Sequence, residues 1–263
     1  DIRAGRQPAA EIRYVRSTDG GRTFTAVRPV PGLGEELRAR GWRWNIAGPG
    51  HAIQLRHGPH AGRLVCAGNH SAPGGAGNAF LGAHALLSDD GGRSWRLGAV
   101  DAAPAGGRRG GVFPNESAVV ERTDGSLLFH TRDQGGPAPA TRGHASSNDG
   151  GATFTGGFAP LDAIVGPVCQ GALLGATDAA GDAIVLASLP EDPRQRTRLR
   201  IRVSRDGGSN WSLGPLLHRG KAAYSDLVSL APGRFLALVE VDGYRAIRAI
   251  AFSVAAAAGG PAH

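Results

Sequence analysis

The sequence predicts an all-β fold, and within that class a β-propeller, from three observations. An eight-residue turn motif occurs four times, short segments with strand-like alternation separate the copies, and no segment has a long helical period. Radial repetition of small antiparallel sheets produces this combination. The length of 263 residues suits one all-β domain. We therefore expect residues 1–263 to belong to a single propeller domain.

The repeated motif has a serine, an aspartate, two glycines and an aromatic residue at fixed offsets. Its glycines supply the positive φ angles of a tight turn, and its serine and aspartate can bond nearby amides. We expect the aromatic residue to hold the turn against the sheet, which makes each copy a structural turn and not a catalytic motif. The copies lie at 17–24, 88–95, 147–154 and 204–211, with 71, 59 and 57 residues between successive serines.

Short strands are predicted between the turns. Leu199, Ile201 and Val203 alternate with arginines, which predicts a strand with one buried face. Glycine-containing turns between apolar segments predict two hairpins. The remaining strands are expected at 11–16, 64–66, 118–121, 126–129, 226–230 and 235–240.

Charge and composition exclude several classes of function. The net charge of +7 comes from scattered arginines and a single lysine, Lys221, so no nucleic-acid surface is predicted. No run of 18 apolar residues is present, so no membrane span is expected. Cys66 and Cys169 lie in separate apolar segments and predict buried thiols. No Cys/His cluster has zinc spacing, and neither a metal nor another cofactor is expected.

The four turns resemble the Asp-box of sialidases, a motif that some sorting receptors and other hydrolases share. Further segments follow the order found in bacterial exo-α-sialidases (neuraminidases): GPGHAIQL at 48–55, GRLV at 62–65, NHS at 69–71, NES at 115–117, TRDQ at 131–134, PVCQG at 167–171, AYSDL at 223–227 and LVE at 238–240. The chain is thus similar to that family over nearly its whole length. The resemblance implies a six-bladed sialidase-type β-propeller, with part of the first blade absent from this chain.

The resemblance also implies an enzyme that hydrolyses terminal sialic acid from glycoconjugates with retention of configuration. Tyr224 corresponds to the family's nucleophile and Glu116 to its base partner. Arg132 and Arg196 correspond to the second and third members of the arginine triad that grips the substrate carboxylate. Glu240 resembles the acidic residue that holds the first triad arginine, which has no counterpart in this chain.

The family's general acid is an aspartate before the first Asp-box. Asp1 is the only aspartate in that stretch and is assigned the role by resemblance, with Glu11 as an acidic alternative. Arg194 and Arg198 flank Arg196 and are alternatives for the third triad position.

The chemistry of sialic acid accounts for these residue types. Its anomeric carbon bears a carboxylate, which repels an ionised Asp or Glu nucleophile but not a neutral tyrosine hydroxyl. A tyrosine needs a carboxylate to accept its proton. Arginine suits the substrate carboxylate because its planar fork donates two parallel charge-assisted bonds.

Each assignment has a structural alternative. Tyr224 could be an ordinary strand aromatic and Glu116 a strand cap, while Asn69, His70 and Gln170 are either pocket-lining or structural polar groups. The competing functions are a non-catalytic Asp-box propeller that binds glycans or proteins, and a related glycosidase for another sugar. The Tyr–Glu couple favours the sialidase, whose partner is a sialylated glycan. By family resemblance the protein is expected to be secreted or at the cell surface.

Overall fold

The computed structural model describes residues 2, 5–72, 80–101, 112–135 and 142–256. These residues form antiparallel sheets, one α-helix (α1, Leu33–Ala39) and one 3-10 turn (Gly58–His60). Neither helical segment in the described ranges has the length and apolarity needed to cross a membrane. The predicted all-β class is confirmed.

The strands follow one another through the sheets in chain order. The first sheet pairs β1 (Arg13–Tyr14) with β2 (Arg28–Pro29), and the second contains β3 (Trp44–Ala47), β4 (Ile53–Gln54), β5 (Leu64–Ala72), β6 (Phe80–Ser88) and β7 (Arg96–Val100). The third contains β8 (Pro114–Glu121), β9 (Leu127–Asp133), β10 (Arg142–Ser147) and β11 (Ala159–Leu161). The fourth contains β12 (Ala172–Thr177), β13 (Ala183–Pro190), β14 (Thr197–Ser204), β15 (Ser212–Ala231), β16 (Arg234–Val241) and β17 (Ala246–Ser253).

The fourth sheet is two blades joined by one long strand. β15 runs for 20 residues, and its first half, 212–221, pairs with β14. Its second half, 222–231, pairs with β16. One continuous backbone therefore leaves the outer edge of one blade and becomes the first strand of the next.

Apolar side chains fill the spaces between neighbouring blades. One buried cluster joins Val65 and Leu87 of the second sheet to Val119 and Phe129 of the third. The next cluster joins the third sheet to β12 and β13, and includes the fully buried Leu128. Strand β8 contacts β5 on one side and β12 on the other, and β12 in turn contacts β15. Sheets packed face to face in series are the arrangement of a β-propeller.

The predicted turn chemistry is present in all four Asp-boxes. In the third box, Ser147 Oγ donates to Asp149 Oδ1 at 2.8 Å, and Thr153 Oγ1 donates to Asp149 Oδ2 at 2.6 Å. The two glycines of this box have φ angles of +65° and +87°. The same serine–aspartate bond occurs in the other three boxes.

The prediction for the aromatic residue is wrong in the first box. Trp95, Phe154 and Trp211 pack against buried clusters, whereas Phe24 is 61% exposed. The first sheet has only two short strands with exposed residues, so it offers the ring no apolar layer. With no apolar layer to pack against, the strand expected at 11–16 forms only at Arg13–Tyr14.

The strand predictions elsewhere are confirmed. Leu199, Ile201 and Val203 of β14 are buried, as their alternation predicted. The two predicted hairpins form as the β8–β9 and β15–β16 pairs.

Candidate active site

Glu116 lies in a β-bulge of the third sheet. The β8–β9 ladder pairs Pro114 with Asp133 and then Ser117 with Thr131, so 115 and 116 together face the single residue 132. The backbone amide of Glu116 donates a hydrogen bond to Asn115 Oδ1 at 2.8 Å. A bulge leaves an extra residue outside the regular ladder and redirects its side chain. Here the redirected residue is Glu116.

Tyr224 lies in a second bulge, near the start of the second half of β15. Ala222 pairs with Val241 and Ser225 pairs with Val239, so 223 and 224 together face Glu240. The Tyr224 amide donates to Glu240 Oε2 at 3.2 Å, which replaces the ladder partner that the bulge removes. Glu116 and Tyr224 are thus both displaced from the regular strand ladder by a β-bulge.

The two bulges bring Tyr224, Glu116 and Arg132 into mutual contact. The Tyr224 hydroxyl donates to Glu116 Oε1. Arg132 Nη1 donates to Glu116 Oε2 at 2.7 Å and to the Tyr224 hydroxyl oxygen at 3.1 Å. The side chains of Glu116 and Arg132 are each only 14% exposed. The phenol therefore has a carboxylate as proton acceptor and a guanidinium beside its oxygen.

Burial raises the pKa of Tyr224 above its ordinary value of 10, and the hydrogen bond to Glu116 and its negative charge add to this. The positive charges of Arg132 and Arg196 act in the opposite direction but do not cancel the rise in pKa. At neutral pH the hydroxyl is protonated. The hydroxyl is thus uncharged, and its proton is already directed at Glu116.

Arg196 lies immediately before β14, beside the same tyrosine. Its guanidinium carbon is 5.6 Å from the centre of the Tyr224 ring. Its Nη1 donates to the Tyr244 hydroxyl and its Nη2 to the Val168 carbonyl, each at 2.9 Å. Of the three arginines considered for this position, Arg198 is instead bonded to Glu191, and Arg194 is exposed. The structure brings Arg196 to Tyr224.

Glu240 lies beside Tyr224 and lines a cavity of about 360 Å³ together with Arg196, Ala222 and Tyr244. Among the described residues no arginine forms an ion pair with Glu240. The contact observed for this carboxylate is the one to the Tyr224 amide.

The two candidates for the general acid are not placed at the site. Asp1 lies outside the described residues. Glu11 forms an exposed ion pair with Arg13 at 2.8 Å, which is a surface contact.

Gln170, Asn69 and His70 are all almost fully buried and serve the fold. The Gln170 side chain bonds both the amide and the carbonyl of Ser225 at 3.0 Å, so it holds the residue after Tyr224. His70 lies 3.2 Å from His84 between their Nδ1 atoms and stacks on Trp42. The sequence left open whether these three residues line a pocket or stabilise the fold, and their burial and contacts favour the second interpretation.

Tyr244 is a site residue that sequence reasoning missed. It belongs to the turn between β16 and β17, where residues 242–244 all have positive φ angles. Its hydroxyl bonds Arg196. The Asp242-Gly243 pair signals a turn, but nothing in the sequence indicates that the following tyrosine points at an arginine 48 residues away.

Within the described part of the chain, no three His, Cys, Asp or Glu side chains are grouped to hold a metal ion. Cys66 and Cys169 are both free thiols; Cys169 is buried as predicted, whereas Cys66 is only partly buried. Burial raises the pKa of Cys66 to about 11, which makes it unreactive at neutral pH.

Comparison with known proteins places this geometry in a family. Residues 3–236 match the family of the BNR repeat-like domain. The chain is a sialidase-family protein of the BNR-repeat type. It is 33% identical over 254 residues to a sialidase of Micromonospora viridifaciens, covering 90% of this chain and 35% of that protein. It is 28% identical to an exo-alpha-sialidase of Aspergillus fumigatus, covering 88% of this chain and 50% of that protein.

Solved structures show the same fold for this sialidase-family chain. A Hadza microbial sialidase superposes with a TM-score of 0.70 at 24% identity, covering 87% of this chain and 41% of that one. The predicted sialidase-type β-propeller fold is confirmed. The chain spans half or less of the length of these three relatives.

Proposed function

We propose that this chain carries the nucleophile side of an exo-α-sialidase active site, which releases terminal sialic acid from glycoconjugates with retention of configuration. The observation that carries the proposal is the contact of the Tyr224 hydroxyl with Glu116, with Arg132 bonded to both. A protein that only binds sialylated glycans needs the arginines, but it has no use for a phenol that donates to a buried carboxylate.

The first chemical step forms a bond between the Tyr224 oxygen and the anomeric carbon. As that bond forms, the hydroxyl proton moves to Glu116 Oε1 and the bond from the anomeric carbon to the glycan oxygen breaks. The departing oxygen takes a proton from a general acid. Family resemblance assigns that acid to Asp1, and the step itself requires a group on the opposite side of the anomeric carbon from Tyr224.

The second step reverses the roles. Water attacks the anomeric carbon, the bond to the Tyr224 oxygen breaks, and Glu116 returns the proton to the phenolate. The acid of the first step takes the proton from water. Two displacements at one carbon retain the configuration.

The two arginines stabilise negative charge, one on the Tyr224 oxygen and the other on the substrate carboxylate. Arg132 lies 3.1 Å from the Tyr224 oxygen and offsets the negative charge that develops there when the tyrosine leaves. Arg196 uses two of its five N–H groups on Tyr244 and Val168, and the others are left for the substrate carboxylate. Glu240 fixes the Tyr224 amide and, by resemblance, would also orient the first arginine of the triad.

The test is release of the fluorophore from 4-methylumbelliferyl α-sialoside by the full-length protein, beside Tyr224→Phe and Glu116→Gln. Turnover that collapses in both variants supports the proposal. A folded protein that binds sialyllactose without turnover would instead be a glycan-binding propeller, and one that does neither would act on a different sugar.

A further inference from the structure

The segment Gly48-Pro49-Gly50-His51 connects the two strands that carry Glu116 and Tyr224. It follows β3 and precedes β4, so it belongs to the second sheet. At one end it touches β8 and at the other it touches β15, and we call these four residues the bridge segment. Neither the strand pairing nor the proposed chemistry uses it.

The first contact of the bridge segment is with the residue after Glu116. The Gly48 amide donates to the Ala67 carbonyl at 2.6 Å, which fixes its backbone. A Cβ atom added at Gly48 would lie 2.5 Å from the carbonyl oxygen of Ser117. Only glycine fits there, because a separation below 3.0 Å from a backbone atom forces that backbone to shift.

The second contact is with the residue two positions after Tyr224. His51 Nδ1 donates to Asp226 Oδ1 at 2.7 Å, across 175 residues of sequence. A Cβ atom added at Gly50, which has φ +104°, would lie 3.4 Å from the same oxygen. Asp226 Oδ1 also accepts a hydrogen bond from the backbone amide of Leu227 at 2.9 Å. This bond within β15 fixes the orientation of the carboxylate that His51 contacts.

These contacts place one short segment between the two bulges. Tyr224 and Glu116 belong to different blades, and the described ladder bonds do not join β8 to β15. The separation of the two strands therefore depends on what packs between them, which includes β12 as well as the bridge segment. The bridge segment touches each strand within two residues of its catalytic candidate.

We propose that the bridge segment positions Tyr224 against Glu116, and that His51 and Asp226 are positioning residues for this couple. This inference rests on the proposed sialidase function. The His51–Asp226 hydrogen bond helps to hold β15, together with the Gln170 bonds to Ser225, while the glycine at 48 lets the bridge approach β8 closely. Displacement of a reacting group by about 1 Å costs on the order of 10²-fold in rate, so the effect should fall on kcat.

The experiment compares His51→Ala with His51→Asn, whose amide nitrogen occupies the position of the imidazole Nδ1 and can still donate to Asp226. For 4-methylumbelliferyl α-sialoside we expect His51→Ala to lower kcat roughly 10- to 100-fold with KM within about twofold, because neither residue grips the substrate. His51→Asn should recover most of the lost kcat. Gln54→Ala is the matched control, since Gln54 lies just beyond the bridge and, among the described residues, its exposed amide bonds only the Gly62 carbonyl. It should leave kcat unchanged.

The double variant His51→Ala/Asp226→Ala should lose no more kcat than the worse single variant, since both changes remove one contact. An unchanged kcat in His51→Ala beside an active wild-type protein would overturn the inference. So would equal losses in His51→Ala and His51→Asn.

A wild-type protein without turnover would overturn the proposed function, and the bridge is then tested by stability. If the bridge sets the Tyr–Glu contact, His51→Ala should shift the urea midpoint less in a Tyr224→Phe background than in the wild type. Equal shifts in the two backgrounds would show that His51 only packs locally and would overturn the inference independently of activity.

Discussion

The hydroxyl of Tyr224 donates to Glu116 Oε1, although 108 residues separate them and they belong to different blades. Each residue lies in a β-bulge that turns it out of its ladder, and each bulge amide has a side-chain partner, Asn115 Oδ1 or Glu240 Oε2. The couple is therefore built by the pairing of four strands.

Replacing Arg196 with lysine should impair the proposed enzyme even though the charge is kept. A lysine cannot reach Tyr244 and Val168 while also offering a planar fork to a carboxylate. We expect kcat/KM to fall by about 10²-fold, the size found when one preorganised donor is lost. Arg194→Lys is the control and should be silent because Arg194 is exposed. A loss in Arg194→Lys with none in Arg196→Lys would contradict the placement.

The Asp-box turns should contribute measurably to stability. In Asp149→Asn, one carboxylate oxygen that accepts the Thr153 hydroxyl at 2.6 Å becomes an amide donor. We expect the free energy of unfolding to drop by about 1–2 kcal/mol, as for loss of a charged hydrogen bond. Urea unfolding measures this, with Asp162→Asn at an exposed position as the control. Equal midpoints for the wild type and Asp149→Asn would show that the box does not stabilise the fold.

Stability should decline as the pH falls below about 6.5, because three buried histidines, His70, His84 and His130, must stay neutral. Burial lowers the pKa of His70 to about 2 and that of His84 to about 3, and the positive charge of Arg40 adds to both effects. Below the ordinary histidine pKa the unfolded chain takes up protons that the folded chain does not, so the stability present above pH 6.5 is progressively lost. Each such histidine contributes a slope of up to about 1.4 kcal/mol per pH unit.

Urea midpoints measured from pH 8 to pH 5 check this dependence. His84→Phe removes one of the three groups and keeps a ring beside Trp42 and His70. It should flatten the decline whatever its effect on stability at pH 8. An equally steep decline in the variant would mean that other groups control the acid response.

Much of the fold follows from local sequence. The Asp-box residues bond within a few positions of one another, and the buried side of β14 follows from alternation alone. Tyr224, Glu116 and Arg132 are found together because resemblance names them, and the structure then shows their contact.

The remaining features depend on partners that are distant in sequence. A bulge is an extra residue relative to a neighbouring strand, so it is invisible until the ladder of β8 with β9 is known. The continuity of β15 is hidden because Gly214, Pro215 and Gly220 are typical of turns. The contact of His51 with Asp226 spans 175 residues and has no local signature.

The measurement that tests the central claim most directly is the identity of the residue bonded to sugar during turnover. A sialosyl fluoride has a good leaving group, which speeds the first displacement and lets a covalent intermediate accumulate. After acid quenching and digestion, mass spectrometry should find the sialosyl group on the peptide that contains Tyr224, and not in Tyr224→Phe. A sialosyl group on a carboxylate side chain, or inverted product with no adduct, would contradict the assignment of Tyr224 as nucleophile.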